Sequence, residues 1–125
     1  MKPTTTWVVD MVDEVQQWLD TLDHDTRISV LAAVVVLGED GPSIGRPLVD
    51  TVKGSRYANM KELRPPSAGR QTIRVLFAFD PARAAILLVG GDKTNNWNRW
   101  YRRNVPLADS RFERHLRDME RNSGL

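Results

Sequence analysis

From Val12 onward, apolar side chains recur every third or fourth position, at Val12, Val15, Trp18 or Leu19, and Leu22. Asp13 and Glu14 stand at the front, where a helix dipole favours acids, so the pattern predicts an amphipathic helix. Before it, Thr4 to Met11 is rich in β-branched and aromatic residues and predicts a short first strand. Asp23-His24-Asp25-Thr26 offers N-cap chemistry for a second helix over about Thr26 to Leu37, stopping at Gly38. Its core, Ile28 to Leu37, is apolar on all sides, so a buried strand competes; length and the cap-to-glycine bracket favour the helix. Two such helices make an αα-hairpin able to cover one face of a sheet.

Glu39 to Gly54 is punctuated by Gly and Pro without a sustained period and reads as a surface loop. After it the period shortens to two. Met60 to Arg64, Ile73 to Phe79 and Ala84 to Val89 read as three strands of an antiparallel meander, turning near Ser67-Ala68-Gly69 and at Asp80-Pro81. The third is apolar on both faces, as befits a strand in the middle of a covered sheet. Asn95 to Trp100 reads as a polar loop, Tyr101 to Val105 as a last short strand, and Pro106 as the first turn of a closing helix. In that helix Ala108, Phe112, His115 or Leu116, and Met119 recur at helical spacing.

At 125 residues the chain fits one domain with a real core, and zero cysteines exclude disulfides and thiolate metal sites. No segment has the length of a membrane span or the apolar run of a secretory signal, so a soluble cytoplasmic protein is expected. Net charge is only +2, yet residues 1–43 carry −6 and residues 44–105 carry +8. Either the basic block meets an anion, phosphate being the commonest, or the acidic helices fold over it and neutralise it.

Phosphate-loop, nucleophile-elbow and zincin motifs are absent, and His24 and His115 read as structural or solvated. No metal or other cofactor is expected. What remains is a set of cations and one phenol: Lys53, Arg56, Lys61, Arg64, Arg74, Lys93, Arg99, Arg102, Arg103 and Tyr101. RNA carries its own nucleophile, the 2′-hydroxyl. A protein can cleave it by aligning that group, stabilising the phosphorane with guanidinium and ammonium, and moving two protons. Trp97 and Trp100 beside Arg99 suit stacking on an unpaired base. Taken singly, each residue has an ordinary structural reading; their clustering favours function.

Five separated motifs occur in an order that resembles the HigB-like, phage-associated branch of the RelE/ParE toxin superfamily. They are Lys53-Gly54-Ser55-Arg56; Asn59 to Arg64; Gly69-Arg70 with Arg74 to Pro81; Leu88 to Thr94; and Trp100-Tyr101 with Val105 to Asp109. The resemblance implies an α+β, RelE-like fold, with an N-terminal strand and αα-hairpin on a central antiparallel sheet and a C-terminal helix. It further implies the toxin of a type II toxin–antitoxin module, cutting messenger RNA on the ribosome. The implied partners are a HigA-like helix-turn-helix antitoxin, the ribosome and its message, with operator DNA reached only through the antitoxin. Carried over by position, the catalytic set is Arg74, Lys93 and Tyr101, with Lys61 beside them. Lys53, Arg56, Arg64, Arg99, Arg102, Trp97 and Trp100 are the RNA-binding candidates. The pattern's paired lysines fall on Met60 and Glu62 here, leaving Lys61 out of register. A ParE-like gyrase inhibitor and an inactive partner-binding scaffold are the alternative functions on the same fold.

Overall fold

A computed structural model of the chain describes residues 6–66 and 71–123. Five strands form one sheet in the order β1-β5-β4-β3-β2, where β1 is Val9–Met11, β2 Val49–Thr51, β3 Lys61–Leu63, β4 Ile73–Phe79 and β5 Ala85–Asp92. The meander β3-β4-β5 is antiparallel as expected, and β2 extends it on one side. On the other side β1 runs parallel to β5, which makes the sheet mixed. Helices α1 (Asp13–Asp20) and α2 (His24–Asp40) cover one face and α3 (Trp97–Asn122) covers the other.

The first face buries Leu63, Val75, Phe77 and Leu87 against Val15, Leu19, Val30 and Leu37. The second buries Met60, Leu76, Ala78 and Leu88 against Trp100, Val105, Ala108 and Phe112. Alternation along β4 divides the two sets, since Val75 and Phe77 point one way and Leu76 and Ala78 the other. A bulge interrupts the β4–β5 register between Leu76 and Phe77, so Leu88 and Val89 both join the α3 layer. The extra residue restores a register in which Arg74 lies opposite Gly91, both on the α3 side.

The helical reading of Ile28 to Leu37 holds. Asp23 accepts a hydrogen bond from the Thr26 amide at 3.3 Å and caps α2. The Arg27 guanidinium reaches back to the carbonyls of Leu19, Asp20 and Leu22, satisfying the open end of α1. Helix α2 runs through Gly38 and ends at Gly41, whose φ of +62° and contact with the Trp7 indole both require the missing side chain.

Three expectations are corrected. The stretch from Glu39 to Gly54 is more than a loop: it contains the end of α2, a 3₁₀ turn at Gly41–Ser43 and edge strand β2, whose partners lie in β3. Tyr101 to Val105 is helix, not strand, because Trp100, Val105, Ala108 and Phe112 form one buried stripe at helical spacing. Pro106 lies inside α3 rather than in its first turn. It sits on the solvent side, where the Arg102 carbonyl that loses its amide partner can meet water. The expected turn at Ser67-Ala68-Gly69 and residues Thr4 and Thr5 of the expected first strand lie outside the described residues.

Candidate active site

At the end of the sheet where β3, β4 and β5 meet the start of α3, polar side chains replace the apolar layer. Glu62 from β3 is the hub, with only 4% of its side chain exposed. One carboxylate oxygen accepts from Arg64 Nη2 at 2.8 Å and Nε at 2.9 Å. The other accepts from the Tyr101 hydroxyl at 2.5 Å, and that hydroxyl in turn accepts from Lys93 Nζ at 3.0 Å. Arg74 stands behind the carboxylate with Nε 4.0 Å away, outside hydrogen-bond reach.

Local geometry brings these groups from four places. Glu62 lies on β3 and Arg64, two residues on and just past the strand's end, turns to the same carboxylate; Arg74 reaches it from β4. Lys93 follows β5, its amide donating to the Thr72 carbonyl at 3.0 Å. Asp92 accepts from the amides of Thr72 and Thr94, fixing the turn that leads to α3. Tyr101 comes from the first turns of α3, which lie close because Gly91 offers no side chain. A Cβ there would stand 2.5 Å from Trp100 Nε1.

Burial tunes the site. Lys93 is almost wholly buried, and desolvation followed by the Arg74 charge lowers its pKa below the ordinary lysine value of 10.5. Desolvation and the hydrogen bond to Glu62 push the Tyr101 phenol upward, so it remains a neutral donor in the physiological range. Arg74 is 15% exposed, and its Nε has no hydrogen-bond partner among the described residues. Three cations, Arg64, Arg74 and Lys93, face two carboxylates, Glu62 and Asp50, the latter accepting from Arg64 at 3.1 Å, so positive charge stays in excess, with a buried guanidinium donor still to be satisfied.

The sequence candidates therefore separate. Arg74, Lys93, Tyr101 and Arg64 converge. Trp97, 58% exposed, lies under the Lys93 ammonium, which is 3.8 Å from its ring centroid. Arg99, Arg102 and Arg103 are exposed on the first turns of α3, with no contact to the cluster among the described residues, and Lys53 is exposed in the segment after β2. Lys61 is displaced: it shares the Leu63 face, opposite Phe77, because neighbours of Glu62 on a strand point away from it. Trp100 is buried against Gly91 and edge-on to Tyr101, so it packs the core and offers no open ring for a base. Arg56 is engaged by Asp109 and Glu113 of α3. Of the histidines, His115 bonds Asp80 at 2.8 Å in a structural contact, while His24 opens α2.

Glu62 was not among the sequence candidates. Its signal was the alternation Glu62-x-Arg64 on a strand with Arg74 on the neighbouring one, which sets an acid between two arginines on one face. A cleft of about 410 Å³ lies elsewhere, between β1, α1 and α3, and Asp10, Asp13, Glu14 and Asp118 line it. Those acids make it a poor seat for phosphate, so the Glu62 cluster is the better candidate.

The fold is that of small RelE-type proteins. It matches a mutant of the Escherichia coli toxin RelE in its free state (TM-score 0.58, 10% identity, covering 87% of this chain and 97% of that one). It also matches a chain of the Mycobacterium tuberculosis toxin–antitoxin complex RelBE2 (TM-score 0.53, 13% identity, covering 76% and 100%). Residues 17–113 match the family described as phage derived protein Gp49-like. The chain is 52% identical over 114 residues to the M. tuberculosis protein named "Putative toxin HigB2", covering 91% of this chain and 56% of that protein. It is 51% identical over 108 residues to "Putative toxin HigB3" of the same organism, covering 86% and 92%. The chain thus spans little more than half of the first relative and nearly all of the second. It belongs to the phage derived Gp49-like family, its relatives of about half identity are named as HigB toxins, and its fold is RelE-like.

Proposed function

We propose that the chain is a toxin that cleaves messenger RNA on the ribosome, through the 2′-hydroxyl, at the Glu62 cluster, and that a cognate antitoxin restrains it. The observation that carries this reading is the unsatisfied buried Arg74 Nε in a site already rich in positive charge. A phosphate oxygen completes it. In this reading Arg74 and Arg64 hold the scissile phosphate and stabilise the charge that grows on its oxygens during attack. The Tyr101 hydroxyl takes the 2′-hydroxyl proton as it passes its own to the Glu62 carboxylate, the Lys93 ammonium protonates the departing 5′-oxygen, and the proton then returns from Glu62 through Tyr101 to Lys93. Glu62 orients Tyr101 and Arg64 and holds the cations together before substrate arrives. Trp97 offers the exposed ring on which a neighbouring base stacks. The antitoxin is of the HigA-like helix-turn-helix kind, and operator DNA is reached only through it.

The test is tightly controlled expression of the wild type, Arg74→Ala and Tyr101→Phe, with messenger 5′ ends mapped after induction. Cuts within translated frames are expected from the wild type alone. Arg74→Ala costs about 3 kcal/mol of transition-state stabilisation, the loss typical of one oxyanion donor. Growth arrest with intact messages and altered DNA supercoiling would replace this reading with gyrase inhibition. No growth effect from the wild type would leave a binding scaffold.

A further inference from the structure

Seven large apolar side chains are exposed among the described residues, and four of them lie on α2: Ile28 at 52%, Leu31 at 38%, Val35 at 59% and Val36 at 38%. Ile28, Leu31 and Val35 are spaced three and four apart, so they form one outward stripe. The inward stripe, Thr26, Val30, Ala33 and Leu37, is already spent on the core. This is the reason the sequence of α2 reads as apolar all round. A helix of a small protein that faces water with a stripe of branched side chains is built to be covered.

Charge identifies what covers it. Exposed acids stand at both ends of the stripe, Asp25 at the start of α2 and Glu39 and Asp40 at its end. A second copy of this chain laid antiparallel on the stripe would bring Asp25 against Glu39 and Asp40, and a parallel copy would set each acid against itself. Self-pairing is therefore opposed in either direction. A different polypeptide, carrying an apolar helical stripe with a basic residue at each end, meets no such opposition.

We propose that α2 is the docking face for the antitoxin, which presents such a helix. This inference rests on the toxin reading above. Helix α2 lies on the face of the sheet opposite the Glu62 cluster, so the antitoxin grips the toxin from behind and leaves Arg74, Lys93 and Tyr101 uncovered by that contact.

The test uses the cognate antitoxin, purified and titrated by calorimetry into toxin carrying Arg74→Ala. Adding Ile28→Glu with Val35→Glu is expected to weaken binding by about a hundredfold or more. Adding Glu39→Lys with Asp40→Lys is expected to weaken it about tenfold and to flatten its dependence on salt. With Arg74 restored, the Ile28→Glu, Val35→Glu toxin still arrests growth, which shows that it folds, but co-expressed antitoxin no longer rescues the cells. Unchanged affinity in the stripe variant overturns the proposal. So does a dimer of the free wild-type chain in sedimentation that the stripe variant loses, since that assigns the face to a second copy. Loss of growth arrest with antitoxin affinity retained also overturns it and assigns the face to the ribosome. If the wild type fails to arrest growth while the stripe still governs antitoxin binding, the nuclease reading fails and the docking face stands.

Discussion

Beneath α1 and α2 the sheet buries Leu63, Val75 and Phe77 in an apolar layer; beneath α3 the same strands bury Leu76, Ala78 and Leu88 but end in Glu62 and Arg74. The buried charged side chains among the described residues, Glu62, Asp80, Lys93 and Asp109, all belong to the α3 side. Both layers are made from the same strands, read in opposite phase. One phase supplies cohesion, while the other sacrifices some of it to hold desolvated charge in a fixed array. Ser55 and the Arg56 amide donate to Asp109, and Asp80 accepts from the Ala84 amide, so two of those four charges tie loops down. Glu62 and Lys93 alone among them enter the candidate site.

The division can be broken from either side. The largest effect is expected from Phe77→Ala, which empties the middle of the apolar layer and destabilises the fold by about 4 kcal/mol in urea denaturation. Cleavage per folded molecule is expected to persist; loss beyond the unfolded fraction would show that the two layers are not separable. Next come the adjacent glycines of β5. A Cβ at Gly90 would stand 2.2 Å from Trp18 on the α1 side, and one at Gly91 2.5 Å from Trp100 on the α3 side. Each alanine variant is expected to cost about 2 kcal/mol by overpacking. Only Gly91→Ala displaces the start of α3, so only it reduces the activity of the folded fraction, by about tenfold or more.

The smallest effect concerns the clasp that joins the layers. Arg114 of α3 donates to both oxygens of Glu14 on α1, at 2.8 and 2.9 Å. That pairing lowers the Glu14 carboxyl from 4.5 to about 2. A depressed carboxyl stabilises the fold above its ordinary value, and the contribution disappears as pH falls toward 2. With a third of the Glu14 side chain exposed, screening leaves about 1 kcal/mol. Glu14→Gln is therefore expected to lower stability by that amount at pH 7 and by progressively less below pH 4, measured by denaturation at each pH.

Much of this division was legible before any coordinates. Ile73 to Phe79 is rich enough in β-branched and aromatic residues to fix a strand end to end, and the cap at Asp23 decided α2 against its rival. Strand β2 was not legible, because three residues at a sheet edge show no period and their pairing partners lie in another part of the chain. The start of α3 was obscured by its composition: Asn, Arg and indoles before a proline resemble a loop, and only burial of Trp100 against Gly91 resolves the helix. In the candidate site, the motif order pointed to Arg74, Lys93 and Tyr101, and the fold places these three side chains near one another. Glu62 escaped because an acid within a strand ordinarily faces water, and two of its three cationic or phenolic partners, Tyr101 and Arg74, arrive from α3 and β4.

The Lys93 ammonium resting over the exposed Trp97 ring has an optical consequence. A cation held against an indole perturbs the excited state of that ring, so light emitted by Trp97 reports whether the ammonium is in place. Substrate that draws Lys93 away would change that signal, giving the molecule an intrinsic dye for watching its own site fill.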